Sequence, residues 1–504
     1  MGATILERLR GALQQGDCFL TKTELLRGVA DREEQLAELE RMAAWEEVVI
    51  EEVADEELVF LKEIYDHEQN VSKKLIRLKE TAYGFWGDNG SEFLAKWEKA
   101  RGLHLAPEQR RTVLEAVKNG VFIITGGPGT GKTTIIQAYS ELVTALGGVV
   151  HLAAPTGRAA KRLAEATGRR AQTIHRLLEA AADGTAFRRN MQKPLEVATY
   201  IIDEVSMLDL VLFSHLLDAI PEGSQLILIG DSDQLPSIGA GCVLKDMLQS
   251  KVLPVARLTS IFRQARGSKI SENAHLINRG IVPKVVDTAD FHFQELDPSE
   301  VEGVIVAQLT ELIPQESRQD FYRRVQVLSP LYRGVAGVDR LNELLQAALN
   351  PPAVEKEELL LDGYLLRTGD KIMQIKNNYE KMVFNGDIGI IIDIVGGVIR
   401  TLFEDRVLFY NRQEAAELSL AYAISVHKSQ GAEYDLVLLP VMLGQGGMLR
   451  KNLLYTAVTR AKKEVYLLGE RQAFKQAIYS KSESIRKTRL KYRQQQQHYY
   501  YRWH

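Results

Sequence analysis

The run Gly126-Gly127-Pro128-Gly129-Thr130-Gly131-Lys132-Thr133, with Thr134 after it, fits G-x-x-x-x-G-K-[ST]. These residue types at this spacing bind phosphate. Glycines let backbone N–H groups close around phosphate oxygens, and the N-terminus of a following helix adds partial positive charge. Lys132 supplies a mobile cation for the β- and γ-phosphates, and Thr133 supplies a hydroxyl for Mg²⁺. The run follows the apolar stretch VFIIT and precedes a helical stretch. That strand–loop–helix context separates a phosphate loop from an ordinary Gly-rich turn.

Asp203-Glu204 ends the apolar run ATYII, so a carboxylate pair emerges at the edge of a sheet. Asp203 is placed to hold Mg²⁺ through water, and Glu204 to orient and deprotonate an attacking water. A further strand ends in Gly230-Asp231-Ser232-Asp233-Gln234, leaving the Gln234 amide at a strand tip where it can sense a γ-phosphate. These residues together predict ATP hydrolysis with Mg²⁺. Kinases, transporters and GTPases share such loops, so the reaction alone does not fix the function.

More strings follow in order. Leu105-Ala106-Pro107-Glu108-Gln109 lies one helix before the loop, and Gln109 can pair with N6 and N7 of adenine. Ala154-Pro155-Thr156-Gly157-Arg158 and Thr173-Ile174-His175-Arg176 bring small hydroxyl and basic groups to strand tips, which suits contacts along a single nucleic-acid strand. Leu258–Gln264 carries Arg263, Val426–Glu433 carries His427, Ser429, Gln430 and Glu433, and Leu454–Ala461 carries Arg460.

This ordered set, from about residue 105 to 465, resembles superfamily 1 helicases. Within them it looks most like the RecD-like class, particularly the stand-alone RecD helicases. The specific strings are SPLYRGVAGVDRLNELLQAALNP, GDKIMQIKNNYEKMVFNGDIG and LAYAISVHKSQGAEYD. The resemblance implies that Arg263 and Arg460 act as arginine fingers, one from each of two domains that close over ATP. It places Glu433 with Gln109 and the loop residues as nucleotide contacts. Pro155, Thr156 and His175 on one side, with His427, Ser429 and Gln430 on the other, become candidate DNA contacts. Single-stranded DNA and single-/double-strand junctions are the implied partners, with a monomeric working unit and 5′→3′ polarity. The stretch 180–193 holds Gly184, Phe187, Arg188 and Arg189, which suit either a duplex-splitting hairpin or a plain surface loop. Departures exist: residues 1–98 carry no helix-hairpin-helix pattern, and Ser260 stands where an acidic residue is expected. Three other readings share these strings: a strand translocase without unwinding, an RNA-directed motor, and a non-catalytic nucleic-acid-binding subunit.

The elements that must position these residues can be read from patterning. VFIIT, GGVVHLAA, ATYIID and QLILIG are short buried runs alternating with helical stretches, as are RVQVLSP, YDLVLLPV and EVYLLG. Such runs indicate parallel sheets covered by helices. The expected fold class is α/β: two tandem units over 99–270 and over 271–352 with 419–470, which the family resemblance implies are RecA-like. A small all-β insertion is expected over 353–418, from its Gly-rich alternating segments, and the family resemblance implies that it is SH3-like. Residues 1–98 read as a helical, winged-helix-like module whose hairpin is acidic at Glu51, Glu52, Asp55, Glu56 and Glu57; it suits DNA contact or docking equally. The tail 471–504 ends in QQQQHYYYRWH, whose biased composition predicts disorder.

Composition sets outer limits. The 504 residues are 45% hydrophobic and 26% charged, enough for three or four domains, and the net charge is −3. No global basic field draws nucleic acid, but a local basic groove can hold a strand, and two basic runs stand out: Arg158, Lys161, Arg162, Arg169 and Arg170, and the tail Lys481–Arg493; taken alone, each reads first as a solvated helix face. Cys18 and Cys242 form neither a disulfide framework nor a metal set. No apolar run has the length to span a bilayer, and the expectation is a cytoplasmic protein without membrane partners.

Overall fold

The computed structural model describes all residues except 1, 29–30, 83–89, 182–185, 261–267, 285–286, 314–317, 362, 379, 405, 481–485 and 504. The chain opens with α1 (Gly2–Gln14), β1 (Phe19–Thr21), α2 (Lys22–Leu25), α3 (Arg32–Ala44), β2 (Val48–Val53), β3 (Glu56–Leu61) and α4 (Lys62–Thr81). The three strands form an antiparallel sheet in the order β1-β3-β2, with Val53 opposite Glu56 at the hairpin turn. Helices followed by a small hairpin match the expected winged-helix-like arrangement. The Asp31 side chain caps α3 by accepting from Glu34 N, which fixes where that helix starts.

Next come α5 (Gly90–Arg101), α6 (Pro107–Val117), β4 (Val121–Gly126), α7 (Lys132–Ala145), β5 (Val150–Ala154), α8 (Gly157–Thr167), β6 (Ala171–Thr173) and α9 (Ile174–Leu177). They continue with β7 (Thr199–Ile202), α10 (Leu210–Ala219), β8 (Gln225–Gly230), α11 (Val243–Ser250) and β9 (Val255–Leu258). All six strands are parallel, in the order β6-β5-β7-β8-β4-β9. Every residue of β7 and β8 is buried, as expected for strands covered on both faces. Because β7, β8 and β4 are neighbours, the loops after them emerge side by side at one edge. That juxtaposition builds the site.

A second parallel sheet follows from α12 (Lys269–Asn278), β10 (Phe291–Glu295), α13 (Pro298–Leu312), α14 (Arg318–Arg324), β11 (Val325–Ser329) and α15 (Val338–Leu349). The chain then makes β12 (Glu358–Leu361), β13 (Tyr364–Arg367), β14 (Lys371–Gln374), β15 (Ile388–Val395), β16 (Val398–Phe403), β17 (Arg406–Tyr410) and β18 (Leu418–Leu420). It returns through β19 (Ala423–Ser425), β20 (Tyr434–Val441), α16 (Lys451–Val458), β21 (Ala461–Gly469), α17 (Arg471–Tyr479) and α18 (Leu490–Trp503). The sheet order is β10-β21-β20-β11-β19, all parallel. The inserted strands pair antiparallel as β17-β16-β15-β14-β18, beside the hairpin β12-β13, around a core that includes Leu366, Ile372 and Phe403. Pairing runs on to Leu420 opposite Ile372, two residues beyond the boundary read at 418.

The tail departs from its reading. QQQQHYYYRW is part of α18, which packs on α4 and α11. Gln494 is fully buried there, and Arg493 reaches Glu68 at 2.9 Å and Glu51 at 2.6 Å. The basic tail therefore meets the acidic hairpin of its own N-terminal module. Lys487 likewise pairs with Glu24 at 2.6 Å.

Candidate active site and nucleic-acid interface

β4 delivers the chain into the Gly-rich loop, and α7 begins at Lys132. Gly129 and Gly131 have φ of +71° and +75°, left-handed values that glycine adopts without a Cβ clash. The buried Thr130 hydroxyl donates to Gly127 O at 2.8 Å, closing the loop from within. Lys132 Nζ donates to the carbonyls of Gly126 (2.6 Å) and Gly127 (2.9 Å). Thr133 and Thr134 follow in the first turn, half-buried, as is Pro128 within the loop. Gln109 is buried against the loop. Its Oε1 accepts from Ala106 N at 3.0 Å and its Nε2 donates to Thr130 O at 3.3 Å. It braces the phosphate loop from α6, a role that its expected pairing with adenine did not include.

Asp203 and Glu204 stand at the tip of β7, both buried. Burial, and next the Glu204 carboxylate, push Asp203 up to about 6, while Arg162 and Lys132 pull the other way. Glu204 has φ +54°, a left-handed conformation that costs a non-glycine residue about 1–3 kcal/mol. Its N–H donates to Asp203 Oδ1 at 2.9 Å, which helps to hold that turn. Thr133 and Asp203 offer a hydroxyl and a carboxylate, hard oxygen donors that fit Mg²⁺. Among the described residues no group of three or more His, Cys, Asp or Glu could hold a metal by itself. A cation here would complete its shell with phosphate and water oxygens.

The second sheet unit covers this edge. Tyr455, on α16, donates to Asp231 Oδ2 at 2.9 Å. Thr456 Oγ1 accepts from Leu235 N at 3.0 Å, and Gln430 Nε2 donates to Leu235 O at 2.8 Å. Gln234 donates to Asp231 at 3.3 Å, while its buried Oε1 has no partner. Arg162 bridges the two units, with one amino group 2.7 Å from Glu433 and the other 3.3 Å from Glu204. Glu433, expected on the nucleotide, is thus engaged by an arginine of the first unit.

Arg460 departs from its expected reach towards phosphate. It is buried in its own unit and donates to Ala432 O at 3.0 Å and to Thr456 O at 3.3 Å. Arg263, its expected counterpart, lies outside the described residues.

On the other side of the Leu235 loop is a cleft of about 300 Å³. Pro155, Thr156, His175, His427 and Gln430 all line it, together with Ser237, Ile238 and Gly239. Asn377 and Asn385 close it from the inserted strands. Burial lowers the pKa of both His175 and His427, favouring neutral imidazoles. Ser429 is not among the lining residues. It is fully buried, and its hydroxyl donates to Val426 O at 2.7 Å.

Within 180–193, Ala180 bridges Phe187 and Ala181 N donates to Ala186 O, so the described flanks of the stretch pair with each other. Phe187 packs inward beside His175 and His215, and Arg189 pairs with Glu179. Gly184 lies outside the described residues.

Sequence patterning misses the roles of Arg162, Tyr455 and Thr456. The first reads only as part of a basic run, and the others as helix filler beside Arg460. Their partners lie up to 271 residues away along the chain.

Residues 104–293 match the AAA domain family, 341–407 the ATP-dependent RecD-like DNA helicase SH3 domain, and 420–468 the UvrD-like helicase C-terminal domain. The chain is 36% identical over 395 residues to the ATP-dependent RecD2 DNA helicase of Deinococcus radiodurans, a match covering 78% of this chain and 53% of that protein. It is 31% identical over 423 residues to the RecBCD enzyme subunit RecD of Mycolicibacterium smegmatis, covering 77% and 74% respectively. The chain spans about half the length of the first relative. The crystal structure of Pif1 helicase from Bacteroides in complex with ADP-AlF3 and ssDNA aligns with TM-score 0.46 at 19% identity, over 74% of this chain and 94% of that one.

Proposed function

We infer, from a chain that belongs to the RecD-like superfamily 1 helicases, that it hydrolyses Mg-ATP to move 5′→3′ along single-stranded DNA and separate duplexes. One observation carries this reading. A single loop has Asp231 and Gln234 at its nucleotide-facing start and Ser237, Ile238 and Gly239 in the cleft at its far end. The second unit grips that loop at Leu235. A change at the phosphate edge is therefore felt where a strand would lie.

In this reading Lys132 neutralises charge at the β- and γ-phosphates, and Thr133 and Asp203 hold Mg²⁺, which supplies further charge compensation when bound. Glu204 accepts a proton from the attacking water. Arg263 and Arg460 stabilise the charge developing on the phosphoryl group, with Arg460 exchanging its carbonyl partners for phosphate as the units close. Pro155, Thr156, His175, His427 and Gln430 hold the strand, and Gln430 joins the strand cleft to the loop. The working unit is a monomer in the cytoplasm. Among the described residues no helix is long and apolar enough to cross a membrane.

ATPase turnover with matched DNA and RNA single strands tests the reading. DNA stimulating turnover by about tenfold or more supports it. Turnover indifferent to either strand, or stimulated mainly by RNA, contradicts it.

A further inference from the structure

The roof over Gly127 contains a side chain that the nucleotide reading leaves unused. A Cβ built on Gly127 would lie 3.3 Å from Cε1 and 3.7 Å from Nε2 of His275, and 3.0 Å from the Tyr455 hydroxyl. The edge of the imidazole therefore faces the phosphate loop. His275 is on α12, whose Ile270, Ala274 and Ile277 are buried in the core of the second unit, and α12 packs on α16. The helix fixes where the ring stands. Nε2 is buried and has no hydrogen-bond partner. A buried polar atom left unpaired costs stability, so its retention at this place needs a reason.

Lys132 identifies which end of the nucleotide lies below. Its ammonium is 2.9 Å from Gly127 O, and a phosphate-loop lysine reaches the β- and γ-phosphates. Ammonium and imidazole, from different units, thus converge on one residue at the start of the loop.

We propose that His275 donates its Nε2–H to a γ-phosphate oxygen of bound ATP, as a nucleotide contact supplied by the second unit. The inference rests on the nucleotide reading above and deepens it, because it ties closure of the units to the presence of the γ-phosphate. The donor exists in the imidazolium and in the neutral Nε2–H tautomer alike, so no change of protonation is required. Neither the phosphate-loop pattern nor the arginine positions point to this residue.

The test is equilibrium titration of fluorescent ADP and of a fluorescent non-hydrolysable ATP analogue, each with Mg²⁺, on the full chain. His275→Leu should bind the analogue about tenfold more weakly and ADP unchanged, since one hydrogen bond to a charged acceptor is lost. His275→Gln, whose amide can present an N–H near the same point, should recover most of the analogue affinity. Should the leucine variant fail to fold, His275→Asn, whose amide stops short of the Nε2 position, carries the same test. Equal losses for both nucleotides, no loss for either, or a glutamine variant as weak as leucine would overturn the proposal. If the wild-type chain bound neither nucleotide, the nucleotide reading itself would fall. Normal wild-type binding with an unaffected leucine variant would remove only His275.

Discussion

Tyr455 and Asp231 meet across the boundary between the two parallel-sheet units, with the phenol donating to Oδ2 at 2.9 Å. Asp231 is almost completely buried, and burial raises its pKa. The tyrosine is therefore a specific partner for a carboxyl group that water barely reaches. A hydrogen bond to a charged group contributes about 1.5–3 kcal/mol. Tyr455→Phe keeps the ring and removes that bond. Strand-stimulated ATP turnover should fall about tenfold in steady-state assays. Full stimulation in the variant would show that this contact does not couple the units.

Glu204→Gln separates binding from hydrolysis. The amide preserves size but cannot take up a proton, and a lost general base costs about 10²–10⁴-fold in rate. Nucleotide affinity should stay within a few-fold of wild type, because the cradle is built from Gly126–Thr133 and not from Glu204. Loss of nucleotide binding measured by titration would contradict its assignment as the base.

Arg493 tests the fastening of the tail. Its guanidinium and the Glu68 carboxylate are both buried, and removing one partner of a buried pair typically costs about 3–5 kcal/mol. Arg493→Met should lower the first thermal unfolding transition, and adding Glu68→Gln should restore much of the loss by removing the stranded charge. An unchanged melting profile in the single variant would show that α18 is not held by this pair.

Asp246 gives a pH dependence of defined sign. Burial first, with nearby Glu68 adding to it and Thr488, Lys245 and Lys491 opposing, pushes its pKa up to about 7. The buried Cys18 thiol also faces it. The native state thus holds the proton more tightly than the unfolded chain does. The stability it contributes is complete below about pH 4 and is lost as pH rises through about 7. Asp246→Asn should gain on wild type between pH 5 and pH 8, by an amount on the order of a few kcal/mol. A stability difference constant across that range would refute this account of the site.

What the sequence made legible was mostly local. A glycine-rich run between a strand and a helix, a carboxylate pair at a strand end, and alternating apolar segments each depend on neighbours within about a dozen residues. The phosphate loop, the tip of β7, both parallel sheets and the inserted antiparallel strands follow from such patterns. Long-range pairing does not. The glutamine-rich tail reads as disordered because nothing near it shows that Gln494 is buried or that Arg493 meets Glu68, 425 residues away. The partners of the basic run are hidden from the sequence for the same reason. Arg162 is committed to Glu433 and Glu204, and Lys161 meets Glu404 at 2.5 Å. Ser429 shares a string with Gln430, yet a 3₁₀ turn at His427–Ser429 directs its hydroxyl back to Val426.

The central claim is that ATP hydrolysis at one edge of the first sheet moves a DNA strand held on the other side of the Leu235 loop. It is tested most directly by ATP-dependent strand displacement on partial duplexes with only a 5′ or only a 3′ single-stranded tail. Lys132→Ala serves as the inactive control. The predicted result is displacement of the 5′-tailed substrate alone, absent in the variant. Preferential displacement of the 3′-tailed substrate would contradict the direction. ATP turnover stimulated by DNA with no displacement of either substrate would contradict unwinding and leave a translocase.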